Sequence, residues 1–312
     1  MRARRSATVF LCVCCVAVLA SAGAAAPKRL ALGVLGDPQR FQSQTNQVSS
    51  TRLIIVGWQQ GTSAQYFTQL IATMGTTPMV GLNAGPVSPA AIAHGSGDSL
   101  LLALNQAVAA FKKPIYIRPL AEMNGHWNPY SAYNTDGSSR GADYSTAMFR
   151  KAFARIYLIV HGGPSVNAHL RSLGLPPVAA ATTSARNAIV VWNPQGYGSP
   201  DLPGNSAQAY YPGDHYVDVV ADDLYDIGGK VEWPAAEALY KAHPHKPFAI
   251  GEWGLWGVDD PSFVSAMAAF LSSHRRTVVA VYYSGHAGSV FDLASKPKSI
   301  AAYRRLIAPL GG

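Results

Sequence analysis

Two of the four glutamates in this 312-residue chain stand at the ends of apolar runs beside aromatic residues: Glu122 in IRPLAEMNGHWNPY (117–130) and Glu252 in KPFAIGEW (246–253). The other two, Glu232 and Glu237, lie in VEWPAAEALYKAH (231–243), whose helical spacing puts them on a solvated face. Two carboxyl groups converging on one cleft can break a glycosidic bond: one protonates the leaving oxygen while the other attacks the anomeric carbon or activates water. The bland alternative for the pair is a buried structural ion pair or two rim carboxylates. The surroundings suit the first reading. Sugar rings stack their C–H faces on flat aromatics and need amide and hydroxyl partners, and such residues fill two long segments, NGHWNPYSAYNTDGSSRG (124–141) and PQGYGSPDLPGNSAQAYYPGDHY (194–216).

Positioning two such groups needs a scaffold that brings strand ends together. Eight short β-rich runs follow one another at 29–36, 53–58, 78–83, 115–120, 188–194, 216–225, 246–253 and 277–283. Helical spacing separates most of them, as in DSLLLALNQAVAAF and DPSFVSAMAAFLSSH. Strand and helix alternating eight times, with strands apolar on both faces, predicts an α/β fold of the (β/α)8 TIM barrel type, a single domain over 27–312. A doubly wound open sheet is the rival, but no dinucleotide glycine fingerprint follows the first run. Barrel sites lie at the C-terminal ends of the strands. Glu122 and Glu252 close the fourth and seventh runs and so are expected in one bowl, with Arg118 on the same strand face as Glu122, four residues on.

The amino terminus reads as an export signal. Arg2, Arg4 and Arg5 precede an apolar stretch and a small-residue stop, which predicts a signal peptide over 1–26 and a secreted or extracytoplasmic protein without stable membrane insertion. Cys12, Cys14 and Cys15 all fall inside that segment, leaving no thiol nucleophile or disulfide in the mature chain. Its removal lowers the formal charge from +8 to +5. With no run of Lys and Arg longer than two, a nucleic-acid groove is not expected. His161-Gly162-Gly163 has no Gly-x-Ser-x-Gly partner and reads as a turn, and His243-Pro-His245 lacks a third metal ligand. The expected partner is therefore a polysaccharide or oligosaccharide, met by a monomer with no cofactor and no metal.

Four segments carry a resemblance to glycoside hydrolase family 26. IRPLAEMNGHW resembles its acid/base segment, AIVVWNPQG its fifth-strand signature, YYPGDHYVDVVADDLY its sixth-strand segment and KPFAIGEWG its nucleophile segment, in order across about residues 30–308. The resemblance implies a retaining, β-mannanase-like enzyme with Glu122 as acid/base and Glu252 as nucleophile. Retention sets an expected carboxyl separation of about 5–5.5 Å. Arg118 would favour the ionised nucleophile, Tyr225 would hydrogen-bond Glu252, and Trp127 would line the subsite of the cleaved sugar. Asn124, Trp192 and Trp253 complete the expected substrate-binding set, although tryptophans near strand ends are often simply core. Asp222 and Asp223 are either a third carboxylate or a cap and loop hydrogen-bonding pair. The chain departs from the family pattern at Ala121, where a His is usual, in the NPYSAYN continuation, and at Tyr282-Tyr283, where a Trp is expected.

Overall fold

Each of the eight apolar runs is a strand in the computed structural model, which describes residues 30–58, 63–75 and 77–311. The expected signal peptide lies outside the described residues. The strands are β1 (Ala31–Gly36), β2 (Thr51–Gly57), β3 (Thr77–Asn83), β4 (Ile115–Pro119), β5 (Ala188–Trp192), β6 (Val219–Ile227), β7 (Phe248–Trp256) and β8 (Thr277–Gly285). They pair in chain order, each parallel to the next, and β8 closes onto β1. Around them run α1 (Pro38–Thr45), α2 (Ala64–Ala72), α3 (Pro89–Ala93), α4 (Asp98–Phe111), α5 (Thr146–His161), α6 (Val166–Ser172), α7 (Trp233–Ala242), α8 (Pro261–Ser273) and α9 (Pro297–Leu306). This is the (β/α)8 barrel the alternation predicts.

Strand periodicity sorts the side chains into two buried layers. Leu53, Met79, Tyr116, Val191, Val219, Ala249 and Val281 fill the barrel interior. Their alternates, among them Val56, Val80, Ile117, Val190, Val220 and Ile250, pack outward against the helices. The helices start on sequence cues. Asp37 caps α1 by accepting from Gln39 and Arg40 N–H, and Asp260 caps α8 through Ser262 N–H, each with proline in the first turn. In α4, Leu100, Leu101, Leu104 and Val108 form the buried stripe.

Three irregularities at the C-terminal mouth shape the site. First, β7 holds one more residue than β6 between paired positions: Asp222 pairs with Ile250 and Asp223 with Glu252, so Gly251 is the extra residue of a β-bulge. Only glycine fits there, because a Cβ on Gly251 would fall 1.9 Å from Asn193 Oδ1. Secondly, the chain leaving β4 turns through left-handed Leu120 and Glu122, with φ of 50° and 54°. Such a backbone costs roughly 1–2 kcal/mol per non-glycine residue. It is held by Leu120 N–H donating to Leu82 O at 2.9 Å and Glu122 N–H donating to Asn193 O at 2.7 Å. Thirdly, the β5 to β6 crossover carries no α-helix, only short 3-10 turns at Pro203–Asn205, Ala207–Tyr210 and Asp214–Tyr216.

Candidate active site

The β7 bulge decides which way Glu252 points. Unbroken alternation from Ala249, which faces the interior, would turn Glu252 toward the helices and Trp253 inward. Inserting Gly251 reverses both. Glu252 enters the bowl, while Trp253 packs outward, fully buried against Tyr303 with ring centroids 5.5 Å apart and planes 3° from parallel. Glu252 then receives a charged donor on one oxygen and a neutral one on the other. Arg118 Nη1 donates to Oε1 at 2.6 Å, and the Tyr225 hydroxyl donates to Oε2 at 2.6 Å.

Arg118 is the hub of the floor. It leaves the buried face of β4 and also donates from Nε to Asn193 Oδ1 at 2.8 Å and from Nη2 to Asp223. Burial works to lower its pKa, and the carboxyl groups of Asp223, Glu252 and Glu122 outweigh that and hold it above the ordinary value. Burial pushes Asp223 well up, with Arg118 pulling against it. Tyr225 is likewise pushed up by burial and by Glu252, so it stays a hydroxyl and a donor. Asp222 faces away from the cluster. Its Oδ1 accepts from Gly196 and Asp223 N–H, which is the loop hydrogen-bonding role, and burial pushes it up to about 7.

Glu122 stands across the cleft, three residues past the end of β4 rather than in it. The strand alternation invoked to align it with Arg118 therefore does not apply; the left-handed turn aims it instead. Trp127 Nε1 donates to its Oε2 at 2.7 Å and Gln195 Nε2 donates to its Oε1. Desolvation by the surrounding protein pushes the Glu122 carboxyl above its ordinary range, and Glu252 adds to this, while Trp127 and Arg118 oppose it. Trp127 is half-exposed, its indole folded over Gly125, where any Cβ would lie 2.3 Å from the ring. Both carboxyl groups line one hollow with Ile55, Gly81, Asn83, Arg118, Ala121 and Tyr130. A second hollow, lined by Gln195, Tyr197, Asp223 and Tyr225, opens on the other side.

The structure thus brings together Glu122, Glu252, Arg118, Trp127 and Tyr225. Three other expected contact residues are elsewhere. Trp192 is fully buried outside the barrel wall, 4.8 Å from the Tyr211 ring and 5.5 Å from that of His243, because position 192 is an outward one on β5. Trp253 is turned out by the bulge. Asn124 is fully buried and clamps the two long loops, donating to Gln195 O and Tyr197 O and accepting from Gln195 N–H at 2.8 Å. Gln195, Asn193 and Asp223 went unmarked as partners of the glutamates or of Arg118. Asn193 and Gln195 flank Pro194 in the fifth-strand segment, which was the signal available. Among the described residues no group of three or more His, Cys, Asp or Glu is placed to hold a metal ion, and no helix is long and apolar enough to cross a membrane.

No protein-family model matches this chain. In sequence it is 25% identical over 235 residues to endoglucanase H of Acetivibrio thermocellus, covering 69% of this chain and 22% of that protein, so the chain spans about a fifth of that relative. In structure it is similar to a Bacillus subtilis mannanase, with a TM-score of 0.58, 16% identity and coverage of 90% of this chain and 86% of the other. A family 26 β-mannanase from Bacteroides ovatus gives a TM-score of 0.56 at 17% identity over 89% and 88% of the two chains. At these identities the likeness is one of fold. The chain is a (β/α)8 barrel like those of glycoside hydrolase family 26, in agreement with the four segments that resemble that family.

Proposed function

We propose that this protein is a secreted glycoside hydrolase that cuts a β-linked polysaccharide, β-1,4-mannan foremost, with retention of configuration. The observation that carries the reading is the unequal setting of two carboxyl groups in one hollow. Glu252 accepts from a guanidinium on one oxygen and from a hydroxyl on the other. Glu122 is desolvated and faces a second carboxyl, which favours its protonated form. Of the three carboxyl groups around Arg118, Glu122 is the one whose two oxygens accept only from the neutral donors Trp127 and Gln195, and desolvation raises it, which suits it to deliver a proton at the cleft.

The steps follow from those two settings. A Glu252 oxygen attacks the anomeric carbon as the glycosidic C–O bond breaks, and the Glu122 proton goes to the leaving oxygen. Water then attacks the glycosyl-enzyme, giving its proton to Glu122 and releasing Glu252. Glu122, Trp127 and the tyrosine-rich rim offer the proton donor and stacking surface such a substrate needs. The likeness to two mannanases supports mannan as substrate, and the endoglucanase relative favours a β-glucan as the second reading. The amino-terminal segment supports secretion of a catalytic domain over 27–312. A reducing-sugar assay on mannan, β-glucan and xylan, followed by NMR of the newly formed anomer, tests the reading. Absence of new reducing ends on every polymer would overturn it, and an inverted anomer would overturn the mechanism alone.

A further inference from the structure

Exposed large apolar side chains are not scattered over this molecule. Among the described residues seven stand out, and five of them, Ile55, Trp127, Ile227, Trp256 and Val290, lie at the catalytic mouth. Ile55 and Trp127 belong to the hollow around the two glutamates or to Glu122 itself. The remaining three form a patch of their own. Ile227 and Trp256 are register partners at the ends of β6 and β7, and Gly257 N–H donates to Val290 O at 2.9 Å. Their exposures are 51%, 46% and 47%, whereas residues just inside, such as Leu255, are fully buried. Contiguous apolar exposure at a rim marks a binding surface.

The patch is packed and hydrogen-bonded at its base and joined to the site. Lys296 Nζ donates to Val290 O at 2.8 Å, and Phe291 stacks on Tyr283 with centroids 4.4 Å apart. Trp256 packs edge to face on Phe291 at 4.9 Å and on Tyr225 at 6.1 Å. Tyr225 is the residue whose hydroxyl binds Glu252 at 2.6 Å. One aromatic ring, that of Tyr225, therefore separates the Trp256 indole from Glu252, and a chain lying across Glu252 has a half-exposed indole next in its path.

We propose that Trp256, flanked by Ile227 and Val290, is a second sugar-binding platform, which stacks an uncharged β-linked pyranose unit of the same chain whose bond is cut at Glu252. This rests on the glycosidase reading and deepens it. A platform beyond the reacting sugar makes affinity grow with chain length and suits cutting within a polymer rather than at its tip.

Calorimetry on the full chain carrying Glu252→Gln, which cannot form the glycosyl-enzyme bond, tests the platform with mannohexaose and cellohexaose and with the matching disaccharides. The hexaose that binds is expected to lose about tenfold in affinity when Trp256→Ala is added, with disaccharide affinity unmoved. Trp256→Tyr, which keeps a stacking face, is expected to recover most of the loss and so separates stacking from damage to the fold. Undiminished hexaose binding in the Trp256→Ala variant overturns the platform while leaving the glycosidase reading intact. If neither hexaose binds and no polymer yields new reducing ends, the glycosidase reading fails and the platform with it.

Discussion

Arg118 and Glu252 form a buried ion pair, Nη1 to Oε1 at 2.6 Å, and the same guanidinium holds Asp223 and Asn193. A planar fork reaches three partners in fixed directions, which an ammonium cannot. Arg118→Met leaves the carboxyl cluster without a counter-charge. It is expected to destabilise the fold by about 3–5 kcal/mol in urea titrations and to abolish turnover. Arg118→Lys is expected to restore part of the stability and little of kcat. Full activity in either variant would show that the proposed reaction does not depend on the pair.

The unequal roles proposed for the two glutamates make two variants differ. Glu252→Ala is expected to inactivate the enzyme on every substrate, because no covalent intermediate forms. Glu122→Ala is expected to spare the first step on aryl glycosides with good leaving groups, with azide then replacing water as the second nucleophile. Activity on the natural polymer retained in both variants would make these glutamates structural.

The barrel was legible because buried parallel strands are apolar on both faces, and all eight runs announce themselves in composition. The mouth was less so. Its key directions are set by exceptions to periodicity, the Gly251 bulge and the left-handed Leu120 and Glu122. Alternation alone turns Glu252 out of the bowl and Trp253 into it; the place of Glu252 at the end of the seventh apolar run marked it, and that position says nothing of which way the side chain points. Asn124 and Gln195 are opposite cases. Both are amides in loop segments, and only the packing of one long loop on the other makes the first a clamp and the second a partner of Glu122.

That partnership sets a pH dependence. As the proposed acid, Glu122 must carry a proton, so the rate is expected to be high below its raised pKa and to fall as pH climbs through it. The Trp127 N–H opposes that rise, and the Gln195 amide, donating to the other oxygen, is expected to act in the same direction. Trp127→Phe and Gln195→Leu each remove one donor and are expected to move the alkaline limb of kcat/KM to higher pH. A limb that stays in place or moves down contradicts the assignment of Glu122 as the acid.

Asp222 gives a separate stability signature. Its folded pKa, about 7, lies above the ordinary 3.8. Well below the ordinary 3.8 both states are protonated and burial of the neutral acid is tolerated. As pH rises from about 4 to about 7 the unfolded chain releases the proton before the folded one does, so stability falls across that window, by at most about 4 kcal/mol. Asp222→Asn keeps an oxygen for Gly196 and Asp223 N–H and cannot ionise. Denaturant midpoints at pH 4 and pH 8 are expected to converge in this variant. An undiminished difference between them would place the titration elsewhere.

On the proposed reading, specificity turns on Ala121. It lines the hollow beside Gly81, Asn83 and Ile55, and its carbonyl is held by the Tyr130 hydroxyl at 2.6 Å, so the backbone there is fixed while the side chain is only a methyl group. Contacts that hydrogen-bond a particular sugar hydroxyl discriminate strongly, because an analogue leaves buried polar groups unpaired, whereas aromatic stacking discriminates little. With a methyl group where the resembling family has an imidazole, position 121 itself offers no side-chain hydrogen bond, and Trp127 supplies generic stacking. The expected result is weaker preference for mannan over β-glucan than an imidazole there would give. Ala121→His is then expected to raise kcat/KM on mannan by up to about tenfold, the worth of one added hydrogen bond, with a smaller change on β-glucan. High wild-type activity on mannan with no gain from the histidine would show that the methyl group is neutral and that the hollow selects mannan by other contacts.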